Sequence, residues 1–277
     1  MAKSKVAIVR CESYDEKTVY RAVTRGVELL GGIGAFVRPG EKILLKPNVL
    51  AGSLPEQAVT THPAVFSAVV RILQSSGASL SYGDSPGFGK PADALLKAGL
   101  FQVAERFGIP LAEFEHGRSV ENPEGIVGKR FDLSNAALET DGIVSLPKMK
   151  THALTRVTGA VKNQFGCVYG LNKAAFHVKV PNQVHFSKML VDLNLMLKTR
   201  LFVMDGIMAM EGNGPRGGKP VAMNCLIVSA DPVAVDATFC RMIDLDPTFI
   251  PTITHGAERG LGKWDVADIE YLGDDPA

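Results

Sequence analysis

Lys42-Ile43-Leu44-Leu45-Lys46-Pro47-Asn48 and Ala78-Ser79-Leu80-Ser81-Tyr82-Gly83-Asp84 are two short apolar runs, and each stops at a polar cluster. Between them Thr61-His62-Pro63 precedes Val65, Val69 and Leu73, with Ala68 and Ile72 beside them, at helical spacing, and Gly77 ends the helix. Strand, helix and strand in this order predict a βαβ unit with a right-handed crossover. Working outward, the pattern predicts strands at 6–9, 110–114, 142–146, 201–204, 224–229 and 269–272. Helices are predicted at 15–30, 91–97, 101–107, around 186–197, from Asp231-Pro232 to about 243, and near 250–259. Val157, Ala160, Val161 and Gln164 share one helical face, with Lys162 roughly opposite. Residues 115–137 mix Gly, Pro, Asn and charge without a period. The fold expected is α/β, with mostly parallel sheets and flanking helices, as one large domain or as two lobes with a cleft between them and a boundary near 138–142.

Composition narrows the function. Thirty basic against 29 acidic side chains give a net charge of +1, so nothing marks the chain as a general binder of nucleic acid or of an anionic membrane. Cys11, Cys167, Cys225 and Cys240 are scattered without a C-x-x-C pair, which gives neither a zinc ribbon nor a ferredoxin-type cluster loop. Residues 6–9 are too short an apolar stretch for a signal-peptide core or a membrane span, and a cytoplasmic protein with free thiols is expected.

Four apolar runs end in chemically capable residues. Lys46-Pro47-Asn48 offers a cation, a fixed φ and an amide, suited to a carboxylate or phosphate, or simply a strand-end lysine beside a turn. Thr61-His62-Pro63 is a helix cap, and His62 is a candidate proton carrier. Gly83-Asp84-Ser85-Pro86-Gly87-Phe88-Gly89 lets the backbone pass close to a ligand, yet it is neither a Walker loop nor a dinucleotide fingerprint. Pro147-Lys148-Met149-Lys150-Thr151-His152 is the richest cluster. In extended backbone Lys148 and Lys150 point the same way, and crowding of two ammonium groups lowers lysine pKa, the route to a catalytic amine. Lys162-Asn163 adds a third cation, while Cys167 reads as structural. Asp205 and Glu211 lie beyond the 201–204 strand in a glycine-rich stretch, where they would hold a divalent ion, pair with the lysines or act as a base. Asp231 reads as a helix cap and Asp236 as facing either way. His177 and His185 lack helical partners for a metal site. If the runs are parallel strands, their polar tails line one sheet edge, where open α/β sheets bind ligands.

These clusters, taken in order with Phe165-Gly166, Glu211-Gly212-Asn213-Gly214-Pro215 and Asp231-Pro232 with Ala234 and Asp236, resemble the domain of unknown function 362 family from about residue 5 to 260. Many members of that family carry a ferredoxin-like module and are described as iron–sulfur proteins. This chain lacks the cysteine runs, so the resemblance implies no iron–sulfur cluster held by it. A redox partner would have to supply electrons.

The resulting expectation is an enzyme with a cationic cleft for a small anionic molecule, a carboxylate or a phosphate ester. Lys46, Asn48, Asp84, Ser85, Lys162, Asn163, Asp205 and Glu211 bind substrate, and His62, His152, Lys148 and Lys150 carry catalysis. The cofactor is unknown, a divalent metal being one open role for the acids. Redox chemistry and proton-transfer isomerisation both fit, the second by analogy with nickel-dependent lactate racemase, which also combines Lys and His in a cleft. The alternative is a non-catalytic subunit or ligand-binding module of an iron–sulfur assembly. Lys148→Ala and Lys150→Ala are expected to abolish binding while barely moving the melting temperature.

Overall fold

The structure, a computed structural model, describes residues 2–87, 89–170 and 182–275. Its strands are β1 (Ser4–Arg10), β2 (Lys42–Pro47), β3 (Ser79–Tyr82), β4 (Gly117–Glu121), β5 (Arg130–Ser134), β6 (Gly142–Leu146), β7 (Lys148–His152), β8 (Arg156–Thr158), β9 (Thr199–Glu211), β10 (Lys219–Ser229) and β11 (Ile269–Gly273). One large sheet runs in the order β11-β1-β10-β9-β6-β2-β3, with β7 and β8 continuing from β9. Within it β9, β6, β2 and β3 are mutually parallel, as are β1 and β11, while β10 runs antiparallel to both neighbours. β4 and β5 form a separate hairpin in the stretch that shows no sequence period.

Two apolar layers cover the sheet, and the strands show why. Alternate residues of a strand face opposite sides, and β1 sends Ala7 and Val9 into one core and Val6 and Ile8 into the other. β9 does the same with Leu201 and Val203 against Phe202 and Met204. The first core is closed by the helices Glu16–Leu29, Pro63–Ser75 and Leu100–Phe107, the second by Gln183–Met196, Pro232–Met242 and Pro251–Glu258. Burial on both faces explains why β2, β6 and β9 read as continuous apolar runs rather than alternating ones.

Several predicted elements shift. The strand expected at 201–204 extends to Glu211, because its second half pairs with β10 on one side and β7 on the other. Pro147 does not end the β6 run in a loop. The chain bends there and continues as β7 beside β9, with Lys148 opposite Asp205. The strand expected at 110–114 shrinks to one bridge, Leu111 to Tyr82. Val157 lies in β8, so the helix expected from there begins only at Ala160 and ends at Asn163. Residues 138–142 lead directly into the central strand β6.

Candidate functional site

Because β2, β3, β6 and β9 are parallel neighbours, the residues that follow each of them are brought to one end of the sheet. There the sequence clusters meet. Lys46, Lys148 and Lys150 are 0%, 0% and 1% exposed, so the cationic groups form a sealed polar core rather than the open cleft expected from the sequence.

Two of the lysines carry carboxylates. Lys46 Nζ lies 2.8 Å from Asp84 Oδ1 and donates to Asn163 Oδ1 at 3.1 Å and to the Pro47 carbonyl at 3.2 Å. Asn163 Nδ2 donates to Ser145 Oγ at 2.9 Å, and Asp84 Oδ2 accepts from the Val49 amide at 3.0 Å. Lys148 Nζ donates to Asp205 Oδ2 at 2.8 Å and to the Tyr14 hydroxyl at 2.9 Å, and that hydroxyl donates to Asp205 Oδ1 at 2.9 Å. The His62 amide donates to Asp205 Oδ2 at 2.9 Å and the Ile207 amide to Oδ1 at 3.3 Å. The ion-pair reading of Asp205 thus holds. Lys148→Ala, read from the sequence as barely moving the melting temperature, is expected instead to cost stability, since a buried carboxylate would lose its cation.

Lys150 and Lys162 differ. Among the described residues neither makes an ion pair, and Lys150 Nζ donates only to the Val59 carbonyl, at 2.6 Å. Burial, then the charges of Lys162 and Lys148, hold Lys150 well below the ordinary lysine range, with Asp84 opposing. Burial and then Lys46 bring partly exposed Lys162 down to about 8. Four buried polar atoms around this region have no hydrogen bond: Asn48 Oδ1, Thr60 Oγ1, Thr158 Oγ1 and Asp84 Oδ1, the last held by its ion pair alone. Thr60 follows Val59, and Thr158 faces Lys150 in the β7–β8 register. Lysine nitrogens without a carboxylate beside orphaned hydroxyls are the chemistry of an anion site.

His62 caps the helix Pro63–Ser75 by accepting the Ala64 amide at Nδ1, 3.1 Å, which leaves Nε2 to carry the ring proton. Its ring stacks on Tyr14 at 3.5 Å between centroids, and burial, with Lys148 assisting against Asp205, lowers it to about 4. Burial and the Asp205 charge push the Tyr14 hydroxyl well above its ordinary value. Tyr14 was missed from the sequence because it stands in an otherwise unremarkable turn ahead of the Asp15 cap. Gly166 has a packing reason that its motif did not reveal, for a Cβ there would lie 1.8 Å from Asp84 Oδ1 and 2.8 Å from Lys46 Nζ.

Other expected residues stand apart. Glu211 is exposed at the end of β9, because that strand carries it beyond the lysines. His152 sits at the β7–β8 turn, where its Nδ1 accepts the Leu154 and Thr155 amides at 3.0 and 3.2 Å. Ser85 is buried and borders a cavity of about 270 Å³ with Pro86, Gly87, Phe114 and Glu115, one residue from the Asp84 pair. Asp231 caps the helix Pro232–Met242 as expected. Asp236 faces inward and caps Ala160–Asn163, accepting from Ala160 and from Val161, the latter at 3.1 Å, and burial brings it up to about 7. Among the described residues no three His, Cys, Asp or Glu side chains are grouped to hold a metal, and His177 lies outside those residues. All four cysteines are free and buried.

The profile of the family described as Domain of unknown function (DUF362) matches residues 43–241, which span every member of the lysine cluster. The chain belongs to the DUF362 family. This DUF362 chain is also 37% identical to a thylakoid-associated protein of Synechocystis sp. over 262 residues, 94% of this chain and 81% of the relative. No described helix here is long and apolar enough to cross a membrane. In fold it is similar to the lactate racemase apoprotein of Thermoanaerobacterium thermosaccharolyticum, with TM-score 0.53 at 13% identity, covering 87% of this chain and 57% of that one. A Thermotoga maritima structural-genomics protein gives TM-score 0.45 at 13% identity, over 90% of this chain and 60% of that one.

Proposed function

We propose that this DUF362 chain is an enzyme whose substrate is a small carboxylate or phosphate ester, bound at Lys150 and Lys162. The observation that supports this best is the imbalance of the buried cluster, in which Lys46 and Lys148 have carboxylates and the other two lysines have none. Thr60 and Thr158 supply neutral hydroxyl donors to the same ligand, matching their orphaned Oγ1 atoms. In a dry site each contact to an anion is strengthened, and the anion in turn restores Lys162 to its charged form. His62, neutral and with its proton on Nε2, is the group that moves a proton. Asp205 and Tyr14 keep Lys148 in place and fix the stack that orients the imidazole.

Native mass spectrometry of freshly purified protein, combined with metal analysis, tests this reading. A small anion co-purifies with the wild type and is lost from Lys162→Gln at unchanged fold. Protein that arrives anion-free and binds none of a panel of carboxylates and phosphate esters contradicts it.

A further inference from the structure

Resting on the anion site proposed above, we infer that Lys150 is a covalent amine that condenses with a small carbonyl compound bearing a carboxylate or phosphate, the charged group of that compound lying on Lys162. Lys148 is unsuited to this role, because its nitrogen is committed to Asp205 and Tyr14. Lys46 is likewise held by Asp84 and Asn163. Lys150 has a single acceptor, the Val59 carbonyl, which engages one N–H and leaves the rest of the nitrogen uncommitted. Burial next to other cations lowers its pKa, which raises the share of the free base that attacks carbonyls.

The groups needed for the remaining steps adjoin it. The amine nitrogen bonds to the carbonyl carbon and the carbonyl oxygen becomes the hydroxyl of a carbinolamine. That hydroxyl then leaves as water, its C–O bond breaking as the C=N bond forms, and both protons originally on the amine depart with the oxygen. Thr158, the cross-strand partner of Lys150, and Thr60, next to the Val59 that accepts from Lys150, have hydroxyls with no other partner and would pass those protons. Access requires that Val59 lift. The loop that holds it contains two non-glycine residues in the left-handed region, Leu50 at φ 60° and Ala58 at φ 51°, so its closed form is held under backbone strain.

The test is reductive trapping. Full-length protein is incubated with pyruvate and sodium cyanoborohydride, then with glyoxylate and with glyceraldehyde 3-phosphate in parallel, and is read by intact mass and peptide mapping. Expected is a mass gain of pyruvic acid less one oxygen, mapping to Lys150. That modification exceeds any other lysine's by about tenfold or more, since each unit of depressed pKa gives tenfold more free amine. Acetone, which lacks the anion, reacts far less, and Lys150→Arg abolishes trapping. Because mapping uses the wild type, a variant that fails to fold does not decide the result. Modification spread evenly over the lysines, or none with any of the three compounds, overturns the inference. Calorimetric binding of the same compounds without trapping would leave the anion site standing and remove only the covalent step, whereas absence of binding removes both.

Discussion

Lys148 Nζ and Asp205 Oδ2 lie 2.8 Å apart with both side chains sealed from solvent, and the Tyr14 hydroxyl bridges them from one side. Removing one partner strands a buried charge, which costs about 3–5 kcal/mol. Lys148→Ala and Asp205→Ala are each expected to lose that much stability in urea unfolding. The pair Lys148→Met with Asp205→Leu is expected to lose much less than the sum. Strict additivity would show that the two side chains do not interact.

Gly166 allows Lys46 and Asp84 to meet. A methyl group there overlaps the carboxylate at 1.8 Å and lies 2.8 Å from the lysine nitrogen, and both side chains are buried. Gly166→Ala is therefore expected to break the pair and to cost about 3 kcal/mol or more, the penalty for an uncompensated buried charge. Gly34→Ala, where a Cβ meets nothing within 4 Å, is the control and is expected within about 0.5 kcal/mol of wild type. Equal melting curves for the two variants would contradict the packing account.

Much of this arrangement is written locally. The runs 43–45, 142–146 and 201–204 are strands because residues buried on both faces leave an apolar signature, while 80–82 alternates as an edge strand, and their parallel order places Lys46, Asp84, Lys148 and Asp205 at one end. What could not be read were the features set by non-local pairing. β9 runs on to Glu211 only because β7 and β10 flank it, and this removes Glu211 from the lysines. Tyr14 reaches Asp205 across 191 positions of sequence, and the Val59 carbonyl that binds Lys150 has no residue-type signature at all. The depth of burial was also hidden, since Lys46, Lys148 and Lys150, which read as lining a cleft, prove fully enclosed.

Asp236 ties stability to pH. Its folded value of about 7 lies above the ordinary 3.8, so the folded state holds a proton that the unfolded chain releases in between. Its contribution is present at low pH and is lost as the pH rises from about 4 to 7. Relative to the wild type, Asp236→Asn is expected to gain stability across that window and to differ by a constant amount above it. A constant difference throughout, in urea unfolding from pH 4 to 8, would refute the assignment.

Ala58 holds φ at 51° beside Val59. Glycine relieves about 1–2 kcal/mol of left-handed strain and adds about 0.5–1 kcal/mol of chain entropy cost, so Ala58→Gly is expected to be stabilising by up to about 1.5 kcal/mol. A destabilised variant in equilibrium unfolding would mean that the loop is not strained.

The most direct measurement is isothermal titration of the wild type, Lys162→Gln and Lys150→Gln with phosphate, phosphoglycolate and pyruvate, at pH 8 in two buffers of different ionisation enthalpy. The account predicts binding by the wild type with net proton uptake, as the anion recharges Lys162, and binding at least about tenfold weaker in each variant, with less uptake in Lys162→Gln. Equal affinity in all three proteins, or binding without any proton taken up, would contradict it.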